Sequence, residues 1–179
     1  TDFAITSDLL EYHGIEASAE DRLLLRDAYL AQLPAELSKR AGLVLPGVVE
    51  LLERLSERND VKLGLLTGNF AAGAACKLEH YQLDQYFQFG GYGDDERHRD
   101  DVARVAFAEA QRVLRREIDP NDVWVIGDTP ADVQCGRAIQ ANVVAVATGL
   151  FSYADLEATQ PDHLFADFES VNNVLACFG

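Results

Sequence analysis

Residues 123–132 read Val-Trp-Val-Ile-Gly-Asp-Thr-Pro-Ala-Asp, and this stretch predicts both the fold and the place of its chemistry. Large and β-branched residues before Gly127 predict a buried strand that ends in a tight turn. The following Thr129-Pro130 is typical of the N-cap and first turn of a helix. Asp128 and Asp132 therefore fall where a strand gives way to a helix, which is where α/β sheets bind ligands.

A purely structural interpretation of this stretch stays open, because Thr129 and Asp132 have the spacing of an acidic capping box and Asp128 can simply end a strand. A second segment favours a functional site. Residues 62–69 read Lys-Leu-Gly-Leu-Leu-Thr-Gly-Asn and predict another strand. The strand is followed by the hydroxyl of Thr67, the backbone of Gly68 and the side-chain amide of Asn69. The structural alternative for this segment is a turn in which Asn69 is the N-cap of the next helix.

Strand and helix patterns alternate from Pro46 onward, which predicts a parallel sheet with crossover helices. Upstream, helical spacing runs from residue 5 to residue 13, where Gly14 ends it, and again from Ser18 to Pro34. The predicted core helices cover 48–58, 70–80, 100–117, 131–141 and 169–176, with a short one between 151 and 167. The predicted strands cover 61–66, 87–90, 123–126, 143–147 and 163–166.

Together these motifs resemble the haloacid dehalogenase-like (HAD) hydrolase superfamily, and in particular its phosphoglycolate phosphatase-like branch with a helical cap. Leu-Leu-Thr-Gly-Asn at 65–69 is similar to the second family motif, and Gly-Asp-Thr-Pro-Ala-Asp at 127–132 is similar to the fourth. The Leu-Pro-Gly-Val at 45–48 is similar to the return from cap to core. The resemblance implies an α/β fold with a partial helical cap at 1–45. It also implies a HAD-like (Rossmann-type) three-layer core with a parallel sheet at 46–179.

The nucleophile motif of that family is missing from these 179 residues. In the family it is the first aspartate of an Asp-x-Asp motif after the first strand, and neither Asp2 nor Asp8 follows an apolar strand. The resemblance therefore implies a chain that starts inside the cap and lacks the first, central strand of the core. We expect a truncated or incomplete protein that is inactive by itself. A degenerate, non-catalytic relative is the alternative.

The chemistry that the resemblance implies is phosphoryl transfer through an aspartyl-phosphate, with Mg²⁺ as cofactor. Mg²⁺ prefers oxygen ligands and binds through one or two carboxylates together with phosphate and water. The resemblance makes Asp128 the direct metal ligand within this chain. It makes Asp132 a supporting group that acts through water or orients the loop.

The phosphate-binding residues that the resemblance implies are Thr67, Gly68, Asn69 and Arg99. Thr67 matches the family residue whose hydroxyl hydrogen-bonds the transferring phosphoryl group. The backbone of Gly68 and Asn69 lies at a predicted helix start, where N–H groups favour an anion. Arg99 matches the lysine or arginine that neutralises charge, with Arg97 as the fallback, and arginine can contact phosphate in a bidentate way. The structural alternative is a solvated charged loop that caps the next helix.

Amino-acid composition limits the kinds of molecule that this protein is expected to bind and the compartment in which it is expected to lie. The chain has 15 basic and 30 acidic residues and a net charge of −15, which disfavours nonspecific binding to nucleic acid or to an anionic membrane. No apolar run approaches the ~20 residues of a membrane-spanning helix, and the first residues lack the pattern of a signal peptide. The three cysteines, Cys76, Cys135 and Cys177, favour buried, reduced thiols. These features predict a cytoplasmic protein.

We expect the complete protein to be a magnesium-dependent phosphomonoester hydrolase that acts on a small phosphorylated metabolite, such as phosphoglycolate or a sugar phosphate. The alternatives are a non-catalytic HAD-like binding or scaffold protein, a haloacid dehalogenase on the same scaffold, and a receiver-like phospho-acceptor domain. Fold analogy does not choose among them, but the Gly-Asp-Thr-x-x-Asp loop suits a metal-bound phosphate better than a carbon–halogen bond. Neither the substrate nor the oligomeric state follows from the sequence.

Overall fold

The computed structural model describes residues 1–179 as an α/β fold in which short strands alternate with helices from Pro46 onward, as predicted. The strands are β1 (Gly64–Leu66), β2 (Phe89–Gly91), β3 (Trp124–Gly127), β4 (Asn142–Val146) and β5 (His163–Phe165). The helices are α1 (Asp2–Tyr12), α2 (Ala19–Lys39), α3 (Val48–Ser56), α4 (Ala71–His80), α5 (Arg99–Leu114), α6 (Pro130–Ala138), α7 (Tyr153–Glu157) and α8 (Val171–Leu175). Short 3₁₀ helices lie at Asp84–Tyr86, Pro120–Asp122 and Ala176–Phe178.

The strands form two parallel sheets rather than one. β1 pairs with β2, with Leu65 opposite Gly90. In the second sheet β4 lies between β3 and β5, with Val125 of β3 opposite Val143 of β4. Parallel strands need crossover connections, and α4, α6 and α7 supply them within the two sheets, whereas α5 joins β2 to β3. No backbone hydrogen bond links β1 to β3, so each of these strands has one unpaired edge.

Helix α5 connects the two sheets through one apolar cluster. Its Ala103 is fully buried with Val125 of β3 and Cys135 of α6, and Leu66 of β1 packs against the same cluster. Close packing of α5 on β2 depends on Gly91, where a Cβ would lie 2.5 Å from the backbone oxygen of Val102. Leu66 at the end of β1 and Val125 within β3 therefore pack in the same apolar cluster as Ala103 of α5.

Two further clusters complete the core. One covers a face of β4 and consists of Val133, Val143, Ala145 and Leu156. The other packs α3 against α8 and consists of Leu51, Leu55, Val171 and Val174. Full burial of a valine or leucine side chain contributes about 1.5–3 kcal/mol. These clusters therefore stabilise the positions of the helices that follow the loops at the strand ends.

The end of α1 and the start of α2 lie where the sequence predicts. α1 ends at Tyr12, and Gly14 follows with a left-handed φ of +71°. Ser18 is the N-cap of α2, because its hydroxyl oxygen accepts a hydrogen bond from the Asp21 N–H at 3.1 Å.

The prediction that α2 ends at Pro34 is wrong, since the helix continues to Lys39. A proline inside a helix removes one hydrogen bond and costs about 3 kcal/mol. Packing offsets this cost, because Leu33 is buried beside Pro34 and α2 packs against α4. Although α2 is the longest helix at 21 residues, no helix of the structure combines the length and the apolar character that a membrane span requires.

Several predicted boundaries move by a few residues. The strand predicted at 61–66 begins at Gly64, because regular pairing with β2 begins there. Before Gly64, a single hydrogen bond continues this pairing, from the Gln88 N–H to Leu63 O at 3.1 Å. The helix predicted at 100–117 ends at Leu114, because Arg115 adopts a left-handed φ of +53°.

Candidate active site

The carboxylate of Asp132 holds the loop between β3 and α6. Its Oδ2 accepts hydrogen bonds from the Asp128 N–H at 3.1 Å, the Thr129 N–H at 3.0 Å and the Thr129 hydroxyl at 2.8 Å. Thr129 Oγ1 in turn accepts from the Asp132 N–H at 3.2 Å, which completes a capping box. Pro130 follows as the first residue of α6. The helix start predicted at Thr129-Pro130 is confirmed.

The other oxygen of Asp132 faces Arg99. Arg99 Nη2 donates to Asp132 Oδ1 at 2.9 Å, and Arg99 is the first residue of α5. The Asp132 side chain is only 10% exposed, so the charges interact in a region of reduced dielectric constant. Arg99 Nε is buried without a hydrogen-bond partner in the chain. Arg99 Nη1 also donates to no residue of the chain, and because the side chain is 34% exposed, this group can contact an anion.

Asp128 is in the opposite situation to Asp132. It is half-buried where β3 ends, and its carboxylate accepts no hydrogen bond from any residue of the chain. Gly149, which follows β4, lies behind it, and a Cβ at Gly149 would lie 2.2 Å from Asp128 Oδ2. The bare backbone of Gly149 makes room for this carboxylate, whose lone pairs are available to a ligand.

The loop that follows β1, residues 67–70, is called the Thr67 loop below. The Thr67 N–H donates to Gly91 O at 3.1 Å, which extends the pairing of β1 with β2. The Asn69 N–H donates to Thr67 Oγ1 at 3.2 Å, so the proton of the Thr67 hydroxyl is free to be donated elsewhere. The Gly68 N–H has no partner in the chain. The Thr67 loop therefore offers two adjacent donors.

The alternative in which Asn69 is the N-cap of α4 is wrong. The side-chain oxygen of Asn69 accepts a hydrogen bond from Lys77 Nζ at 2.8 Å. Carboxylates from elsewhere in the chain accept hydrogen bonds from the N–H groups at the start of α4. Asp2 Oδ2 accepts from the Phe70 N–H at 2.9 Å, and Asp94 Oδ2 accepts from the Ala71 N–H at 2.8 Å.

The structure separates the two candidate arginines. Arg97 forms an ion pair with Asp8 of α1, and both side chains are largely exposed. Arg99 lies beside Asp132, as described above. Arg99, Asp128 and Asp132 thus form one group, whereas the Thr67 loop lies on the other sheet and forms no hydrogen bond with that group. The apolar cluster around Val125, against which Leu66 packs, connects the two.

Cys135 lies under the Arg99–Asp132 pair and is fully buried. Burial raises the pKa of its thiol to about 11, and the carboxylates of Asp100 and Asp132 act in the same direction, whereas Arg99 lowers the pKa. The thiol is therefore protonated at neutral pH, and a buried neutral thiol is not a nucleophile.

The donor set allows a magnesium ion at Asp128 rather than at Asp132, because both Asp132 oxygens are committed to hydrogen bonds. Nowhere in the chain do three His, Cys, Asp or Glu side chains converge as a ready metal cluster. One free carboxylate is nevertheless a sufficient protein contribution where phosphate and water complete the octahedron. Asp128 fits such a role.

Sequence reasoning missed four residues of this region: Asp2, Lys77, Asp94 and Gly149. Only Gly149 left a signal, since it follows an apolar strand in the same way that Gly127 does. The contacts of the other three join distant parts of the chain or successive helical turns, and no local pattern marks them.

Comparison with known proteins agrees with this architecture. Residues 6–146 match the model of the haloacid dehalogenase-like hydrolase family. The chain belongs to this family, which confirms the resemblance and the fold class predicted from the 65–69 and 127–132 motifs.

A curated relative is phosphoglycolate phosphatase of Escherichia coli (strain K12), which is 24% identical over 162 residues, or 90% of this chain. The match covers 61% of that relative, so the chain spans about three fifths of its length. Among solved structures, β-phosphoglucomutase of Clostridium difficile superimposes with a TM-score of 0.72 at 16% identity, over 99% of this chain and 77% of that one. A hydrolase of Pseudomonas syringae gives 0.71 at 22% identity, over 99% and 78%. These two likenesses show the fold.

Proposed function

We propose that the complete protein is a magnesium-dependent phosphomonoester hydrolase that acts on a small phosphorylated metabolite. One observation carries the proposal: Asp128 presents an uncommitted carboxylate at the end of β3, in a loop whose backbone is held by Asp132, the partner of Arg99. A free anionic oxygen on a loop that is tied through Asp132 to a partly exposed arginine suits a phosphate group and the metal ion that accompanies it.

Each side chain of the site has a part in this proposal. The Thr67 hydroxyl and the Gly68 N–H donate to the phosphoryl oxygens, and Asn69, held by Lys77, keeps the Thr67 loop in place. Arg99 neutralises charge on the phosphoryl group, while Asp132 orients both Arg99 and the loop that carries Asp128. Asp128 would hold Mg²⁺, which would supply positive charge to neutralise the phosphate oxygens.

The nucleophile belongs to a strand that we place between β1 and β3. β1 and β3 each have one unpaired edge, and the resemblance to the family implies that the first, central strand of the core is missing from this chain. A strand there would deliver an aspartate between Thr67 and Asp128. Its carboxylate oxygen would attack phosphorus as the P–O ester bond breaks, and the departing oxygen would take a proton from water and leave as an alcohol. Water would then hydrolyse the acyl phosphate, which releases inorganic phosphate and restores the carboxylate.

The same proposal divides the chain into part of a helical cap at 1–45 and a core at 46–179. The substrate class is supported by the relative named phosphoglycolate phosphatase. The net charge of −15 supports a small-molecule partner rather than nucleic acid or a membrane surface. The three free cysteines support a reducing compartment, and we propose a cytoplasmic location.

Steady-state hydrolysis of p-nitrophenyl phosphate by the full-length protein tests the function. We expect turnover that requires Mg²⁺ and stops with EDTA, and no turnover by residues 1–179 alone. Asp128→Asn should lower kcat by about 100-fold or more, because a metal-held charge is lost. The matched control is Asp122→Asn, an exposed aspartate just before β3, which should leave turnover unchanged. Full activity of Asp128→Asn would refute the assignment.

A further inference from the structure

The first residues of α1 lie directly against loops of the core. The Asp2 N–H donates to Gly68 O at 2.6 Å, and the Phe3 N–H donates to Gly93 O at 3.1 Å. Glycine permits this approach, because a Cβ at Gly93 would lie 2.2 Å from Gly68 O. The start of α1 is therefore fastened to the Thr67 loop by main-chain hydrogen bonds.

The Asp2 side chain holds the same loop a second time. Asp2 Oδ2 accepts from the Phe70 N–H at 2.9 Å, and Asp94 Oδ2 accepts from the Ala71 N–H at 2.8 Å. These amides open α4, whose own N-cap residue supplies no side-chain hydrogen bond. Carboxylates at this end satisfy free N–H groups and interact favourably with the helix dipole.

These contacts decide which donors remain for an anion. A helix N-terminus normally offers several amides to phosphate, but here the two carboxylates occupy those of Phe70 and Ala71. The Asn69 N–H is directed to Thr67 Oγ1. The Gly68 N–H is the main-chain donor that stays free in this loop, beside the Thr67 hydroxyl proton and the side-chain NH₂ group of Asn69, of which Lys77 engages only the oxygen.

We propose that Asp2, together with Asp94, is a positioning residue that holds the Thr67 loop in place and keeps a bound phosphate away from the N–H groups of Phe70 and Ala71. The proposal rests on the phosphatase function proposed above. Because Asp2 belongs to α1 and accepts a hydrogen bond from the Thr67 loop, docking of α1 and order in this loop are coupled. By reciprocity, a phosphate bound to the ordered loop favours the docked position of α1.

Kinetics of the full-length protein give the first test. Asp2→Ala should lower kcat/KM for p-nitrophenyl phosphate by about tenfold, because a misplaced binding loop costs transition-state contacts. Asp2→Asn keeps an oxygen that accepts from the Phe70 N–H, so it should restore most of the loss. Glu11→Ala, at an exposed position on the same helix, is the matched control and should match the wild type.

Titration with inorganic phosphate, followed by the NMR amide signals of Gly68 and Phe70, separates positioning from general stability. In the wild type, phosphate should shift the Gly68 amide and leave the Phe70 amide unchanged. In Asp2→Ala the Phe70 N–H is vacated, so phosphate should shift both amides. An identical response of Phe70 in the two proteins would overturn the proposal.

The two proposals fail in different ways. If the wild type binds phosphate at Gly68 but hydrolyses no phosphate ester, the proposed function is wrong and the role of Asp2 stands. If the wild type hydrolyses the ester and Asp2→Ala has the same kcat/KM, the role of Asp2 is wrong and the phosphatase function stands.

Discussion

Arg99 and Asp132, 33 residues apart in the chain, form a 2.9 Å ion pair that ties the start of α5 to the loop after β3. Arg99→Ala should lower the free energy of unfolding by about 1–3 kcal/mol, because the buried Asp132 carboxylate loses its charged partner while Arg99 itself is partly solvated. Urea denaturation measures this change.

The neighbouring pair of Arg104 with Asp101 on α5 is a suitable control. Both side chains are largely exposed, at 57% and 42%. Arg104→Ala should therefore change the free energy of unfolding by no more than about 0.5 kcal/mol. Equal effects of the two substitutions would contradict a special role for the Arg99–Asp132 pair.

Substitution of aspartate by asparagine should change the free energy of unfolding much more at Asp132 than at Asp128. Asp132→Asn should lower the free energy of unfolding by about 2 kcal/mol, because it weakens a capping box and an ion pair together. Asp128→Asn should change it by less than about 0.5 kcal/mol, since the Asp128 carboxylate accepts no hydrogen bond in the chain. Urea unfolding of both variants decides the point, and a large loss for Asp128→Asn would show a structural role for that carboxylate.

The features that the sequence predicted correctly depend on local signals. The start of α6 at Thr129-Pro130 and the start of α2 at Ser18 follow from side chains that hydrogen-bond amides three residues away. Such contacts involve residues that are close together in the sequence, so a local sequence pattern can predict them. Family membership followed from two such local motifs, at 65–69 and 127–132.

The features that the sequence did not predict depend on tertiary contacts. Asp2 accepts a hydrogen bond from an amide 68 residues away, and Asp94 from one 23 residues away. Pro34 is tolerated inside α2 because burial of Leu33 offsets the cost of a proline in a helix interior. The roles of Thr67, Arg99, Asp128 and Asp132 stay predictions, because geometry shows which donors and acceptors are free and experiment must show which of them act.

Gly149 gives a test of the space around Asp128. Gly149→Ala should place a methyl group where the Asp128 carboxylate now lies, at 2.2 Å from Oδ2, and so displace it. We expect Mg²⁺-dependent turnover of the full-length protein to fall by about tenfold or more, since small displacements of catalytic groups are costly. Turnover assays against Mg²⁺ concentration measure both the rate and the apparent metal affinity.

The same substitution at Gly73 is the matched control. Gly73 lies within α4, and a Cβ there would meet Leu30 at 3.5 Å, an ordinary contact distance. Gly73→Ala should leave turnover unchanged and stabilise α4 by about 0.5–1 kcal/mol, because alanine favours helix. Unchanged turnover in Gly149→Ala would mean that Asp128 does not need its present position.

Cys135 predicts a distinct dependence of stability on pH. Burial raises the pKa of this thiol from 9.0 to about 11, so the folded state holds the proton more tightly than the unfolded chain does. The stabilisation is fully present below pH 9 and is lost as the pH rises toward 11. Between pH 8 and 10.5 the wild type should lose about 2 kcal/mol more of its free energy of unfolding than Cys135→Ser, whose hydroxyl does not titrate in this range. Urea unfolding of both proteins across this range measures the difference, because all other groups titrate alike in the two. Parallel curves would show that the Cys135 thiol is not buried as the structure has it.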